Sequence, residues 1–354
     1  MLYIFGIAGG GWRSEFFLRT AGELPGYFRV SFVIEPDEKR AAYLKEKWGV
    51  RIIGDLEAVD EKPDFLVLTL PPSILPEFIV KAVKGGHYVL SETFVPADVS
   101  IISDLYNNIP DKRKVQFSEQ YWLQPVHAAR LAVIKSGLIG TVSQAQVSAG
   151  HGYHGISLLR KYLDAGFQNC QIRGKVFANP IVRGPGRQGV PEKREIIEDC
   201  QELAVFDFGG KWGLFDFTEE QYFSAIRGPR VLIRGEQGEI AGHEVRYLQD
   251  YRTPLTFTLR RDASGVDGSM GPPHILGYSG GERWYYQNPF GPCSLSDDEL
   301  ALAAVLEGMG SYVKGGKAIY PLEEALQDQY LTVLMKQAFN SGNAIESSTQ
   351  VWAR

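Results

Sequence analysis

Cysteine is scarce in this chain, and positive charge does not dominate it. Only three cysteines occur among 354 residues. Cys170, Cys200 and Cys293 lie far apart and form no C-x-x-C pair. An odd, scattered set of this kind argues against a disulfide framework or a cysteine metal site, and the three read as reduced packing thiols. Lys and Arg number 37 against 42 Asp and Glu, a net charge of −5. The basic footprint of a nucleic-acid binder is therefore missing. No apolar run approaches the ~20 residues that span a bilayer. The first strand-like run begins at Leu2, which leaves no room for a signal peptide and makes a cytoplasmic location the expectation. No internal repeat is present. Glycine, by contrast, is abundant: 39 residues of 354, above the usual ~7%.

Three of those glycines open the most informative segment. An apolar strand, Leu2 to Ala8, runs into Gly9-Gly10-Gly11-Trp12-Arg13-Ser14, and a helix over Ser14 to Ala21 follows. Glycines let a backbone turn tightly and approach a pyrophosphate, while the helix that follows aims its N–H groups and positive dipole end at the charge. The pattern is G-x-G-x-x-S, weak alone and strengthened by context. That context is a second apolar strand, Val30 to Ile34, closed by Glu35. A carboxylate there accepts both ribose hydroxyls and repels a 2′-phosphate, so NAD is expected and NADP disfavoured. A helix from Pro36-Asp37 to Trp48 ends at Gly49.

Alternation continues. Asp64 to Leu70 reads as a central strand, apolar on both faces, ending at Pro71-Pro72. Ser73 is placed to cap a helix that reaches Gly85-Gly86, with Pro76 in its first turn. The strand His87 to Glu92, a helix near Asp98 to Asn108 and a strand from Lys114 to Glu119 complete the unit. Strands alternating with helices imply a parallel sheet covered on both faces. Ligands of such sheets sit beyond the carboxyl ends of the strands, so Glu35, Leu70-Pro71-Pro72 and Glu92-Thr93 are expected in one crevice. Residues 1–120 thus form an α/β Rossmann domain.

Residues 121–354 read as an α+β domain for substrate binding and oligomerisation, built on a large open, mostly antiparallel sheet. Helices are expected over Pro125 to Lys135, after the turn His151-Gly152-Tyr153-His154, and near Ser296 to Val313 and Leu322 to Phe339. The alternating run Thr141 to Ser148 and shorter apolar runs between Lys175 and Leu259 supply strands. An open sheet face of this kind either packs on helices or pairs with another subunit, and a homodimer or homotetramer is expected. Asn179 to Gly189, with Arg183 and Arg187, and Ala263 to Gly281 read as glycine-rich loops. Trp284-Tyr285-Tyr286 reads as edge packing.

Over nearly its full length the chain resembles the glucose–fructose oxidoreductase/inositol dehydrogenase (Gfo/Idh/MocA) family. The matching pieces are Gly9 to Arg13, Glu35, Leu70-Pro71-Pro72, Gly85 to Glu92, Gly137-Leu138-Ile139-Gly140 and Ala318 to Leu326. The resemblance implies an NAD(P)-dependent oxidoreductase acting on a sugar, cyclitol or related polyol. It implies pyrophosphate contacts from Gly9, Gly10, Gly11, Trp12 and Arg13, and nicotinamide-side contacts from Leu70, Pro71, Pro72 and Glu92.

Departures from the family pattern concern the chemistry. Glu92-Thr93-Phe94 stands where the family has E-K-P, so Thr93 replaces a cationic lysine with a hydroxyl too weakly acidic for its proton-transfer role. Trp122 occupies the place, three before Pro125, where many relatives carry arginine, and Leu75 stands near a usual histidine. Gly152-Tyr153-His154-Gly155-Ile156-Ser157 resembles the family's G-x-H-x-x-D with Ser157 in place of aspartate. Imidazole titrates near neutral pH, which suits His154 as the general base. Trp122, His151, Tyr153 and Arg183 are the candidate substrate contacts. His151 and His154 have no convergent third ligand, so no metal is expected. Two rival readings stay open: a redox-neutral lyase or glycosidase-type use of bound NAD, and a non-catalytic NAD-binding sensor.

Overall fold

The computed structural model describes residues 1–94, 96, 98–186, 189–265 and 273–353. The chain divides into two compact units. One comprises Met1–Pro125, Asp262–Gly277 and Gln287–Leu326; the other comprises Val126–Arg261, Tyr278–Tyr286 and Gln327–Arg354. The chain first leaves the first unit after Pro125, and two later segments return to it.

The first unit is built on six strands: β1 Tyr3–Ala8, β2 Phe28–Ile34, β3 Ile52–Ile53, β4 Phe65–Leu68, β5 Val89–Ser91 and β6 Val115–Phe117. All pair in parallel, in the order β3-β2-β1-β4-β5-β6. This is the strand order of dinucleotide-binding sheets, and the chain reverses direction between β1 and β4. Phe65, Leu66, Val67 and Leu68 are all fully buried, as a strand covered on both faces requires. The two-residue β3 has no readable period and escapes sequence inspection.

Helices α1 Trp12–Glu23, α2 Glu38–Trp48, α3 Leu75–Lys84 and α4 Val99–Asn108 follow β1, β2, β4 and β5. Asp37 caps α2 by accepting from the Arg40 N–H, and Gly49 ends it in the left-handed conformation that glycine tolerates. Asp98 caps α4 through Ser100 and Ile101. Ser73 does not cap α3. Ile74 takes that place without a side-chain bond, because the helix starts with Pro76 in its first turn and needs fewer donors satisfied.

Helices α5 Pro125–Lys135 and α6 Gly152–Leu163 belong to the middle of the chain, and α7 Asp297–Val313 and α8 Leu322–Ser341 to its end. In α7, Ser296 and Glu299 form a reciprocal capping box. That helix belongs to the first unit, where Gly310 leaves room for the Tyr3 ring. Beside it, Gln116 of β6 accepts from the N–H groups of Ile319 and Tyr320 at 2.5 and 2.9 Å.

The second unit carries β7 Val142–Ser148, β8 Gln171–Val182, β9 Ile196–Asp207, β10 Trp212–Phe217, β11 Arg230–Gly235, β12 Gly238–Ala241, β13 Glu244–Leu248 and β14 Pro254–Thr258. Three further strands, β15 Arg260–Ser264, β16 His274–Gly280 and β17 Arg283–Gln287, form a small sheet in that order, and β18 Ile345–Glu346 borders β8. The large sheet runs β14-β13-β12-β11-β7-β10-β9-β8-β18, with β7 and β10 its parallel pair. It is open and mostly antiparallel, as the pattern predicts.

One sheet face is packed beneath α6. A side chain at Gly155 would strike the Phe215 ring, and one at Gly213 would crowd Leu159. Ala145, Ile172, Ala204, Phe206, Phe215 and Ile233 are buried on this face. Arg173, Val205, Leu214, Leu232 and Arg234 line the other face, half-buried or exposed. Two loop expectations fail in part. Asn179 to Val182 extends β8, and β16 occupies the end of the Ala263–Gly281 stretch. Its Gly280 is small because the Phe257 ring lies against it, so the glycine there serves packing. Arg187 and residues 266–272 lie outside the described residues. Cys170 and Cys293 are buried as expected, whereas Cys200 is exposed on β9.

Candidate cofactor crevice and histidine cluster

The glycine loop leaves the carboxyl end of β1, beside that of β4. Gly9 adopts φ +97°, and a Cβ there would sit 2.7 Å from the Thr69 carbonyl oxygen. At Gly10 a Cβ would come within 2.6 Å of both Glu35 Oε2 and Leu44 Cδ1. Gly9 is therefore restricted to glycine by its backbone and by space, whereas a side chain at Gly10 would have to displace the ends of two flexible side chains. Glu35, at the end of β2, accepts from the Gly10 N–H at 2.8 Å and from the Asp37 N–H at 2.9 Å. Its carboxylate is thereby locked facing the loop, with acceptor capacity remaining on both oxygens. Gly11 caps α1 with no side-chain bond and has open space around it. The first turn of α1 thus presents its positive end there.

Arg13 does not turn its guanidinium to the loop. It pairs with Glu92, at 3.1 Å, lies 3.8 Å from Asp298, and rests over Phe16 and Phe17. Burial raises the Glu92 carboxyl above its ordinary range, and the Arg13 charge opposes that rise. Two residues expected to touch cofactor thus also pair with one another. Trp12 is half-exposed, with its ring edge-on to Phe16 at 4.6 Å.

Leu70 is half-buried at the end of β4, and Pro71 and Pro72 are exposed. Thr93 is half-buried just past β5, while Phe94 packs inward near Phe117, with ring centroids 6.4 Å apart. Leu75 is buried at the start of α3. Trp122 lies in a short 3-10 turn, Tyr121–Leu123, tilted against Tyr320 at 6.4 Å.

Two residues of this crevice were not legible in advance. Thr69 donates its hydroxyl to the Gly9 carbonyl at 2.7 Å, pinning the loop to β4. Arg40 donates to the Gly10 carbonyl, pairs with Glu15 at 2.6 Å and lies over the Tyr43 ring. A basic residue one turn into the helix after an acidic strand end is the signal that could have found it.

The second unit holds the histidines. His151 caps α6 without a side-chain bond to the helix, and Tyr222 fixes it instead. The Tyr222 oxygen accepts from the His151 backbone N–H at 3.1 Å and also meets His151 Nδ1. Burial, with the nearby charges of His154 and Lys336, drives the His151 imidazole down to about 3. Burial thus favours the neutral imidazole, whose Nδ1 shares a hydrogen bond with the Tyr222 hydroxyl.

His154 is buried one turn into α6, its ring centroid 4.9 Å from His151 and 4.4 Å from Tyr153. His151, Tyr153 and His154 therefore form one cluster, completed by Tyr222, a residue 71 positions downstream of His151. Ser157, which stands for the usual aspartate, donates to the His154 carbonyl at 3.0 Å and acts on the helix backbone. Arg183 is exposed at the end of β8 and paired with Glu195 at 2.7 Å, an exposed bridge of small energy. Tyr285 stacks on Phe257 at 5.4 Å, the edge packing expected of that run. Among the described residues no group of three His, Cys, Asp or Glu converges as a metal site.

No protein-family model matches the chain, and no curated protein matches it by sequence. Solved structures do share its fold. A levoglucosan dehydrogenase in complex with NADH and levoglucosan superposes with a TM-score of 0.70 at 14% identity, covering 98% of this chain and 99% of the other. A myo-inositol dehydrogenase from Corynebacterium glutamicum gives a TM-score of 0.66 at 14% identity, covering 99% and 100%. An oxidoreductase from Agrobacterium radiobacter in complex with NAD+, L-tartaric acid and magnesium gives 0.68 at 14%, covering 97% and 98%. The two-domain fold implied by the family resemblance is thus the fold of this chain.

Proposed function

We propose that this chain is an NAD-dependent oxidoreductase of the Gfo/Idh/MocA type, acting on a hydroxyl of a sugar, cyclitol or related polyol. The observation that carries the reading is the Glu35 carboxylate held against Gly10 at the β1/β4 switch point. Loop, carboxylate and helix start together fit a dinucleotide: a turn at Gly9 closed to any Cβ, an acceptor for ribose hydroxyls, and a helix start with no side-chain cap for pyrophosphate. The same carboxylate repels a 2′-phosphate, which favours NAD over NADP. Similar solved structures hold NAD+ or NADH.

NAD, when bound, accepts or returns a hydride at its nicotinamide ring. The chain's own part is to orient substrate and move a proton. His154 would take the proton of the reacting hydroxyl as the carbon is oxidised. Thr93 would offer that oxygen a hydrogen bond but no charge. Pro71, Pro72 and Glu92 would line the nicotinamide side. Trp122, His151, Tyr153 and Arg183 are the proposed substrate contacts. The open face of the large sheet supports a homodimer or homotetramer, and the charge balance is compatible with a cytoplasmic enzyme.

The test is nicotinamide absorbance during incubation of the protein with NAD and a panel of polyols. Net NADH formation supports the dehydrogenase. Product without net NADH supports the redox-neutral route. Saturable NAD binding with neither outcome makes the chain a sensor and overturns the catalytic reading.

The cradle itself is tested by Gly9→Ala. A left-handed backbone costs an alanine roughly 1–2 kcal/mol before the clash with Thr69 is counted. NAD affinity is therefore expected to fall about tenfold or more, read by quenching of tryptophan fluorescence. Unchanged affinity would remove the loop from the cofactor site.

A further inference from the structure

Two cations stand on the helix that follows the ribose acceptor, and one carboxylate holds both. Glu15, in the first turn of α1, accepts from Arg40 Nη2 at 2.6 Å and from Lys47 Nζ at 2.6 Å. Trp48 Nε1 adds a third donor at 3.2 Å. Burial raises the Glu15 carboxyl, but the hydrogen bonds from Lys47, Arg40 and Trp48 outweigh it, so the group stays below its ordinary value and is ionised at neutral pH.

Arg40 is the cation that reaches the glycine loop. Its Nε donates to the Gly10 carbonyl, while Glu35 accepts from the Gly10 N–H at 2.8 Å. Guanidinium and carboxylate therefore grip opposite ends of one residue. Arg40 Nη2 also lies 3.4 Å from the Gly11 carbonyl, and the Tyr43 ring lies beneath the guanidinium, its centroid 4.6 Å away. Lys47 is about two turns further along α2, roughly 10 Å on. In dinucleotide-binding sheets, an arginine near the acidic end of the second strand is the group that accommodates a 2′-phosphate. Such an arginine is present here, with its charge matched by Glu15 and its donors directed to the loop.

We propose that Glu15 is a specificity-determining residue: by holding Arg40 it denies a 2′-phosphate its cation, and the crevice thereby selects NAD over NADP. This rests on the reading of the crevice as a dinucleotide site. Glu35 repels the phosphate, and Glu15 withholds the attraction that would offset that repulsion. Glu15, Glu35, Arg40 and Lys47 are together neutral, so a phosphate meets no surplus positive charge. Glutamine at position 15 leaves the set with one positive charge. The guanidinium then stays beside the loop and loses its counter-ion, free to make a charge-assisted bond to phosphate.

Calorimetric titration of the full chain with NAD and with NADP tests this. The wild type is expected to bind NAD at least about a hundredfold more tightly. Glu15→Gln is expected to tighten NADP about tenfold, the worth of one hydrogen bond to a charged group, and to leave NAD within about threefold. That gain should shrink as salt is raised. Adding Arg40→Met to Glu15→Gln is expected to abolish the gain, whereas adding Lys47→Met is expected to preserve it. Arg40→Met in the presence of Glu15 should leave the ratio of the two affinities unchanged, because the guanidinium is already engaged. Thermal melts without nucleotide confirm that the variants fold.

Equal affinity for both nucleotides in the wild type would overturn the proposal. So would a ratio that Glu15→Gln leaves unchanged, or one that Arg40→Met alone shifts tenfold. Tight NAD binding together with any of these results keeps the cofactor crevice and removes Glu15 from its selectivity. Binding of neither nucleotide removes both.

Discussion

Replacing His154 with alanine is expected to lower turnover about 10²- to 10⁴-fold, the usual contribution of a positioned general base, while NAD affinity stays unchanged. The side chain is buried one turn into α6, with aromatic rings on two sides, so alanine removes the titratable group and leaves the helix start intact. The neighbouring His151 cannot stand in for it. Its Nδ1 is engaged by Tyr222, and its affinity for a proton is depressed to about 3. A residual rate that rises with added hydroxide would identify the lost step as proton removal. Turnover within a factor of a few of wild type would mean that another group is the base.

The second large effect concerns stability. Arg160 of α6 and Asp328 of α8 meet at 2.6 Å with both side chains almost fully buried, and the same guanidinium reaches the Gly166 carbonyl at 2.7 and 3.0 Å. Arg160→Met removes one partner of a buried ion pair, which costs roughly 3–5 kcal/mol. In a unit of this size the melting temperature should fall by roughly 10 °C. Arg160→Met combined with Asp328→Leu should recover much of the loss, because no charge is then stranded. The two helices so joined carry His154 and Lys336, so the single variant should also loosen the histidine cluster. A melting point within a degree of wild type would show that water reaches the pair. Calorimetry on the full chain measures this directly.

Legibility in the sequence followed the range of the interactions. Helix α5 is found over the residues predicted, and α2 and α4 start within a residue or two of their expected starts, because Asp37, Gly49 and Asp98 act on neighbours a few positions away. Short strands were lost. β3 has two residues, and β12 and β15 to β17 alternate too briefly or too glycine-richly to show a period. Glu35 was found because the spacing from loop to acid is set by the fold. Thr69, 60 residues from its Gly9 partner, and Tyr222, 71 from His151, were not, since no local pattern encodes who meets across a sheet. The Arg13–Glu92 pair is of the same kind. Each residue was noticed alone as a cofactor contact, and their mutual attraction depended on a distance that only the folded chain supplies.

The division of the chain has a consequence for synthesis. The first unit takes back Gln287–Leu326 after most of the second has emerged from the ribosome. Until then, Gln116 on the edge strand lacks Ile319 and Tyr320, and Arg19 lacks Glu299, its partner at 2.5 Å. The nascent six-stranded sheet must therefore wait, open at one side, until those late residues arrive. A polypeptide cut after Pro125 would keep the glycine loop but not the segments that close the sheet around it.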